Sequence, residues 1–375
     1  MASNSPNKLH LRRDRLIGTL LGTAVGDALG LPFEGERTTS AAQDRAVDRF
    51  HFLGRWGFVS DDTEQTALVA EALLAGPTPE EAARAFQWSL AGWFLRLPWG
   101  IGFGTLRACL KILVGFRRSG VGSAGNGAAM RAAIVGVAFP NENEQDTRDA
   151  FGIALAETTH TDPRAVAGAC FVADVAAHLS IGATAREAVS RARARAAPRS
   201  PTFAAAVEEA EGEDPPAERS GFVNESVPFA VHCLLHRDLA AAAFGGGDSD
   251  TNAAIVGAWL GASLGAEALA RTFPVDALFD GVAFAGPSHL RALGEALAVT
   301  PRKKSTFRWS ALAAHARNLA LYPVVLAHGI APLHRFHHAH RLLRGGRIGP
   351  RGGQRATLQR PRRIARALGD PQHHR

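Results

Sequence analysis

Apolar residues recur at positions i, i+3 and i+4 through most of the first 270 residues of this 375-residue chain. This spacing places apolar side chains on one face of an α-helix, whereas the alternation that indicates strands is almost absent. The pattern therefore predicts an all-α fold, a compact single domain built from many helices. The predicted helices are 16–29, 63–74, 79–95, 128–138, 147–157, 163–179, 185–196, 227–239 and 252–269.

Turn and cap residues mark the ends of several of these helices. Thr78, Pro79 and Glu81 have the spacing of a capping box with proline in the first turn, and Asp162 precedes Pro163 in the same way. The segment 197–220 holds four prolines and a cluster of acids, which predicts an exposed excursion between helices.

Glycine occurs every four residues in the first predicted helix, at Gly18, Gly22, Gly26 and Gly30. Each glycine inside a helix costs about 0.5–1 kcal/mol relative to alanine. Because the four positions share one face, they predict a second helix that packs closely against this strip.

The formal net charge of +7 hides an asymmetry along the chain. Residues 301–375 contain 16 Lys and Arg and one acid, Asp370, so this end carries +15 and the remainder −8. We predict a flexible N-terminus at 1–14, one domain at 15–340 with its core at 15–270, and a basic, disordered tail at 341–375. The tail could bind polyanions, but it has few aromatics and no recognised nucleic-acid fold, so nucleic acid is not the predicted partner.

Cysteine usage and hydropathy predict a soluble, cytoplasmic monomer. The three cysteines form no CxxC pair, which argues against a disulfide framework or a structural zinc site. Basic residues precede the apolar run 16–26 as in a secretory signal, but Asp27 follows at once without a convincing cleavage site. Other uncharged stretches fall short of the roughly 20 residues that span a bilayer, so no membrane partner is predicted.

Two predicted helix starts are rich in acids. In Ser60–Glu64, Asp61 and Glu64 could form a capping box, which is an ordinary structural role. The second start, Gly245–Thr251, places Asp248 and Asp250 after three glycines, which exceeds what capping needs. Carboxylates at alternate positions can converge on one cation, and hard oxygen ligands favour Mg²⁺, Mn²⁺ or Ca²⁺ over zinc.

Together the two starts offer four carboxylates and the hydroxyls of Ser60 and Thr251. Like charges repel unless cations lie among them, and two divalent ions would balance four negative charges. The interpretation requires the two starts to meet in space. The alternative is that each acid caps only its own helix.

Five segments resemble the ADP-ribosylglycohydrolase family in the same order: 22–30 with Glu34, 60–63, 122–131, 159–160 and 246–252. The resemblance implies an all-α orthogonal bundle with two Mg²⁺ or Mn²⁺ ions. It implies the catalytic residues Glu34 and Asp61, and the metal ligands Glu34, Ser60, Asp61, Asp62, Asp248, Asp250 and Thr251. Ser60 replaces the usual threonine and keeps the hydroxyl. Glu34 could otherwise be a solvated loop acid.

The glycine-rich segment 122–127 resembles the ligand-binding loop of the family. The implied substrate-binding residues are Gly122, Ser123, Gly125, Asn126, Gly127 and His160. Glycines there would let backbone N–H groups approach a diphosphate or a ribose. Without the resemblance, this loop would be an ordinary turn and His160 a structural histidine.

The resemblance implies metal-dependent hydrolysis of the glycosidic bond between ADP-ribose and an acceptor. The acceptor, and hence the partner, is an ADP-ribosylated protein or a small ADP-ribose conjugate. The alternatives are a non-catalytic, crystallin-like member of the family and an ADP-ribose-binding protein with a polyanion-binding tail. The four retained aspartates argue against the first. The segment 93–104 could set acceptor choice, but its apolar residues favour core packing.

Overall fold

The computed structural model describes residues 6–35, 46–51, 56–280, 284–299 and 307–323. The predicted tail at 341–375 lies outside them. Within the described residues, strand-like pairing is limited to isolated bridges, so the prediction of an all-α fold is confirmed. The helices are α1 (Pro6–Gly30), α2 (Asp61–Ala75), α3 (Pro79–Phe94), α4 (Phe103–Leu113), α5 (Ala133–Ala138), α6 (Gln145–Glu157), α7 (Pro163–Ser180), α8 (Ala185–Ala196), α9 (Pro201–Ala210), α10 (Val223–Leu235), α11 (Leu239–Phe244), α12 (Ser249–Leu264), α13 (Ala266–Thr272), α14 (Pro287–Ala298) and α15 (311–323).

The glycine strip of α1 packs directly on the backbone of α12. A Cβ added at Gly22 would lie 2.1 Å from the carbonyl oxygen of Gly257, and one at Gly26 would lie 1.9 Å from that of Ala253. Gly18 faces Gly261 in the same way, so the two helices run antiparallel. Only the absence of side chains permits this approach, and the predicted close packing is confirmed.

Residues 6–14, which the sequence assigned to a flexible N-terminus, form the first turns of α1. Three contacts attach these turns to the rest of the domain. Arg12 donates to the carbonyl of Ala138, Arg13 pairs with Glu295, and Asp14 accepts from the backbone N–H of Glu267.

The predicted caps at Thr78 and Asp162 are present, with a complete capping box at Thr78. The predicted excursion at 197–220 is wrong in part, because it contains α9. Ser200 caps this helix and Pro201 occupies its first turn, while Phe203 and Val207 are fully buried. Here proline begins a helix rather than interrupting one.

The packed core extends beyond residue 270, its predicted end. Leu290, Leu293 and Leu297 of α14 are fully buried, and Gly294 packs against Ile17 of α1. The predicted helix at 252–269 is divided at Gly265, whose φ of +82° ends α12 before α13 begins.

By length and hydropathy, the stretch Asn7–Phe33 could cross a membrane. Its most apolar window is completely buried inside the protein, as expected for the central helix of a core. Around α1, the core brings the first turns of α2 and α12 to the same end of the bundle.

Candidate active site

The first turn of α2 presents two aspartates that its capping does not use. Ser60 is the N-cap, and its hydroxyl accepts a hydrogen bond from the N–H of Asp62. Glu64 instead accepts from the indole N–H of Trp93 at 2.7 Å and pairs with Arg317. The capping box suggested for Asp61 and Glu64 is therefore wrong.

Asp27, buried in the last turn of α1, fixes the start of α2. Its carboxylate accepts hydrogen bonds from the backbone N–H groups of Ser60 and Thr63 at 2.9–3.2 Å, and from the hydroxyl of Thr63 at 2.5 Å. These are N–H groups that a helix start leaves without partners. The sequence analysis did not select Asp27 as a site residue. The sequence feature that could have identified Asp27 is a single acid on the apolar, glycine-rich face of a helix. A charge buried on such a face requires partners.

The first turn of α12 follows two glycines with left-handed backbone, Gly246 at φ +77° and Gly247 at φ +70°. Asp248 is the N-cap of α12, but its side chain makes no capping hydrogen bond. Instead its carboxylate accepts from the side-chain amide of Asn126 at 2.7 Å. The carboxylate is thus turned away from its own helix.

The two acidic starts meet, as the metal-site interpretation required. The hydroxyl of Thr251 donates to Oδ2 of Asp62 at 3.2 Å, and the hydroxyl of Ser60 donates to the same atom at 3.1 Å. Carboxylate oxygens of Asp27, Asp62 and Asp250 lie within 4.8 Å of one another. Residues almost two hundred positions apart therefore share one acidic cluster.

No basic residue of the described chain forms an ion pair with this cluster. Burial raises the pKa of Asp61, Asp62 and Asp250 well above the usual value, and the negative charges of neighbouring carboxylates raise it further. Burial likewise raises the pKa of Asp27 to about 6, against its hydrogen bonds.

The donor set suits divalent cations. Oδ1 of Asp62 is buried and has no hydrogen-bond partner among the described residues. An unpartnered buried carboxylate oxygen is costly, and a bound cation would relieve this cost together with the repulsion within the cluster. Carboxylates and hydroxyls are the ligands that Mg²⁺ and Mn²⁺ prefer.

A pocket of about 510 Å³ opens above the cluster. Asp61 and the first turn of α12 form its acidic wall, and glycine-rich segments form the opposite sides. Among the predicted site residues it is lined by Glu34, Asp61, Ser123, Gly125, Asn126, Gly127, His160, Asp248, Asp250 and Thr251. Gly122, Ser60 and Asp62 are not among the lining residues. Ser60 and Asp62 lie buried within the cluster.

Glu34 lies at the exposed rim of this pocket. The surrounding chain still desolvates its carboxylate, and the charges of Asp248 and Asp27 add to the effect, so its pKa rises to about 7. Gly35 anchors the segment by donating its N–H to the carbonyl of Gly247 at 2.8 Å. The segment after α1 is thus attached to the loop before α12.

The glycine-rich loop is held by two neighbouring segments. Val121 exchanges backbone hydrogen bonds with the segment around His160, and Asn126 donates its N–H to the carbonyl of Gly221. The side-chain amide of Asn126 donates to Ser226 and Asp248, so it orients the acid of α12. Asn126 also lines the pocket, where the family resemblance implies that it contacts substrate.

Glycines make room for the ring of His160. A Cβ at Gly104 would lie 2.7 Å from Nε2 of His160, and a Cβ at Gly127 would lie 3.0 Å from its Cε1. Burial and the positive charge of Arg131 together lower the pKa of His160 to about 3, so the ring is neutral.

Arg131 and Thr159 determine which nitrogen of His160 carries the proton. Nη2 of Arg131 donates to the hydroxyl oxygen of Thr159 at 2.6 Å, and this oxygen lies 2.7 Å from Nδ1 of His160. Arg131 can only donate, so the Thr159 hydroxyl keeps its proton for an acceptor, and Nδ1 at 2.7 Å is nearer than the carbonyl oxygen of Ala156 at 3.5 Å. His160 therefore keeps its proton on Nε2 and offers a hydrogen-bond donor beside Ser123.

Arg131 also connects the ring to the acidic cluster. Its Nη1 donates to Oε1 of Gln65 at 3.0 Å, and Nε2 of Gln65 donates to Asp61 at 2.9 Å. Arg131 is fully buried, and burial lowers its pKa to about 9, which still leaves a cation at neutral pH. The same guanidinium donates to the carbonyl of Gly127, so it holds the glycine-rich loop and, through Gln65, Asp61.

This all-α domain places a pocket above clustered carboxylates that have no basic ion-pair partner among the described residues. The sequence matches the ADP-ribosylglycohydrolase family over residues 8–305. The chain belongs to this family, whose members are glycosidase-type hydrolases.

Comparisons with individual proteins agree. The chain is 27% identical over 274 residues to the ADP-ribosyl-[dinitrogen reductase] glycohydrolase of Rhodospirillum rubrum, a match that covers 68% of this chain and 87% of that protein. It is 30% identical over 185 residues to the uncharacterized protein YegU of Escherichia coli, covering 44% and 53%. It also resembles the solved structure of an ADP-ribosylglycohydrolase-related protein complex, with a TM-score of 0.62 and 27% identity, covering 77% of this chain and 98% of that one.

Proposed function

We propose that this protein is a divalent-metal-dependent hydrolase that releases ADP-ribose from an acceptor by cleaving its glycosidic bond. Family membership supports hydrolysis of an ADP-ribose linkage. The observation that carries the metal dependence is the contact of Thr251 with Asp62, which joins the two acidic helix starts below the pocket. We also propose that the protein acts as a cytoplasmic monomer.

The proposed ligands are the side chains of Asp61, Asp62, Asp248 and Asp250 and the hydroxyls of Ser60 and Thr251. The pair of Mg²⁺ or Mn²⁺ ions would supply the positive charge that orients the ribose hydroxyls and activates the attacking water. Asp27 is then a positioning residue, because its carboxylate is already occupied by the start of α2.

The remaining residues bind and orient the substrate. The Nε2–H of His160 and the hydroxyl of Ser123 lie side by side, where they can donate to ribose or phosphate oxygens. Glu34, at the rim, is the exposed residue among the acids that line the pocket. We assign it the exchange of a proton with water or the leaving group, or a ligand position beside the cluster.

A release assay tests the proposal. ADP-ribosyl-arginine, ADP-ribosyl-serine and O-acetyl-ADP-ribose are each incubated with the full chain, with EDTA and with added Mg²⁺ or Mn²⁺. We expect release of ADP-ribose from at least one of them, dependent on metal and abolished by Asp248→Ala. Asp238→Ala is the matched control, since Asp238 caps α11 through a single hydrogen bond to the N–H of Ala241. Turnover that survives EDTA and Asp248→Ala would refute the proposal.

A further inference from the structure

The exposed face of α4 carries an unusual amount of apolar surface. Phe103 is 74% exposed, Leu110 is 50% exposed, and Val114, immediately after the helix, is 72% exposed. Positions 103, 107, 110 and 114 fall on one side of a helix, since residues three and four apart are neighbours. Single exposed apolar residues are common, but several on one face mark an interaction surface.

This face is basic as well as apolar. Arg107 lies between the apolar positions with its guanidinium 5.8 Å from the ring centre of Phe103, and Arg117 and Arg118 are exposed just beyond the helix. The chain contains no Asp or Glu between Glu81 and Glu142. We call Phe103, Arg107, Leu110, Val114, Arg117 and Arg118 the α4 face. Its charge complements an acidic partner and repels the basic residues that follow position 301.

The α4 face is continuous with the pocket. Phe103 lines the pocket together with Gly102 and Gly104, which flank it in sequence. A macromolecule whose modified side chain enters the pocket would therefore lie against α4. A small conjugate that fits within the pocket would not reach Leu110 or Val114, which are not among the lining residues.

We propose that the α4 face docks the ADP-ribosylated acceptor protein, which it recognises through apolar and acidic side chains around the modified residue. The inference rests on the proposed function and narrows the physiological substrate to ADP-ribosylated protein rather than a small conjugate.

The test compares two substrates with the same linkage, an ADP-ribosylated protein and the corresponding ADP-ribosylated amino acid. Leu110→Glu and Arg107→Glu alter the face without touching the acidic cluster. Leu11→Glu is the matched control, because Leu11 is 49% exposed and lies roughly 30 Å along α1 from its site end at a rise of 1.5 Å per residue. All variants are assayed as the full chain with Mg²⁺ or Mn²⁺.

We expect Leu110→Glu and Arg107→Glu to lower kcat/KM for the protein substrate by about tenfold or more, mainly through KM, which corresponds to about 1.4 kcal/mol. Turnover of the small conjugate should stay within about twofold of wild type, which also shows that the variants fold. Leu11→Glu should leave both substrates unaffected. Raising the salt concentration should weaken the wild-type preference for the protein substrate, since the attraction is partly electrostatic.

Other results overturn the inference. Equal losses on both substrates would assign α4 a structural role, and unchanged turnover of the protein would show that it docks elsewhere. A wild-type dimer that Leu110→Glu converts to a monomer would identify the occupant as a second copy. Competition by an oligonucleotide but not by an acidic peptide would identify it as nucleic acid. A wild-type chain that leaves both substrates intact would refute the proposed function itself.

Discussion

The hydroxyl of Thr251 donates to the carboxylate of Asp62 at 3.2 Å, and this hydrogen bond joins the first turns of α12 and α2. The carboxylate it reaches belongs to a buried cluster with no basic ion-pair partner in the described part of the chain. Such an arrangement stores electrostatic repulsion that either protonation or a bound cation removes. The first prediction follows from this repulsion.

Asp62→Asn should abolish metal binding while leaving the metal-free protein as stable as wild type or more so. The amide oxygen can still accept from Ser60 and Thr251, and one negative charge is removed from the cluster. Thermal unfolding without Mn²⁺ measures the stability of the metal-free proteins, and unfolding with Mn²⁺ measures the stabilisation by bound metal. Wild type should gain about 2.7 kcal/mol at a hundredfold excess over the dissociation constant, and the variant should gain nothing. A metal-free variant less stable than wild type by more than about 2 kcal/mol would instead indicate a structural role.

Gly26→Ala should destabilise the fold strongly, because its Cβ would lie 1.9 Å from the carbonyl oxygen of Ala253. Separating α1 from α12 costs at least as much as overpacking a core, about 1–3 kcal/mol. Gly92→Ala is the control, since a Cβ there meets only the end of the Arg96 side chain at 3.9 Å. It should be neutral or stabilising by up to about 1 kcal/mol. Urea unfolding distinguishes the two, and equal effects would contradict the packing described here.

Thr159→Val should reduce turnover by about tenfold, corresponding to one hydrogen bond of about 1.4 kcal/mol. The variant leaves Nδ1 of His160 without the hydroxyl that sets its tautomer. Nitrogen NMR of the imidazole should show the proton on Nε2 in wild type and a mixture in the variant. Thr158→Val is the matched control, because the hydroxyl of Thr158 only donates to Ala154 within its own helix. An unchanged tautomer in Thr159→Val would remove the role assigned to Arg131 and Thr159.

His160 should make the protein less stable in acid. Its pKa is about 3 when folded and about 6.5 when unfolded, so only the unfolded chain takes up this proton between those values. The associated loss of stability is absent above pH 6.5 and grows as the pH falls towards 3, by at most about 1.4 kcal/mol per pH unit.

The unfolding free energy of wild type and His160→Gln, measured from pH 7.5 to 4.5, isolates this contribution. Subtracting the two curves removes the contribution of the cluster carboxylates to stability. Their raised pKa values change stability with pH in the opposite direction. Relative to wild type, the variant should gain stability as the pH falls below 6.5, by at most about 1.4 kcal/mol per pH unit. Parallel curves for the two proteins would show that His160 is protonated in the folded state.

The sequence predicted which acidic helix starts would meet better than it predicted where the helices begin and end. Asp248 and Asp250 were recognisable because two acids at alternate positions exceed the needs of a single cap. Asp27 was missed because one acid at the end of an apolar run resembles a helix terminus, and only the structure shows the helix start that it holds. The α4 helix was missed for a physical reason too. Its N-cap residue, Gly102, has no side chain to cap the helix. Its exposed apolar residues also obscure the helical spacing of the buried ones.

The pairing of α1 with α12 has a consequence for how the chain is made. On the ribosome, α1 is complete when residue 30 has been added, but α12 begins only at Ser249, about 220 residues later. Translation at roughly 5–20 residues per second leaves the glycine-lined side of α1 without α12 for about 10–45 s. During this interval the apolar residues of α1 lack their native partner, which makes the nascent chain more prone to aggregate. A polypeptide that ends before Ser249 would hold Asp27 and Asp62 but lack Asp250, so the acidic cluster could not assemble.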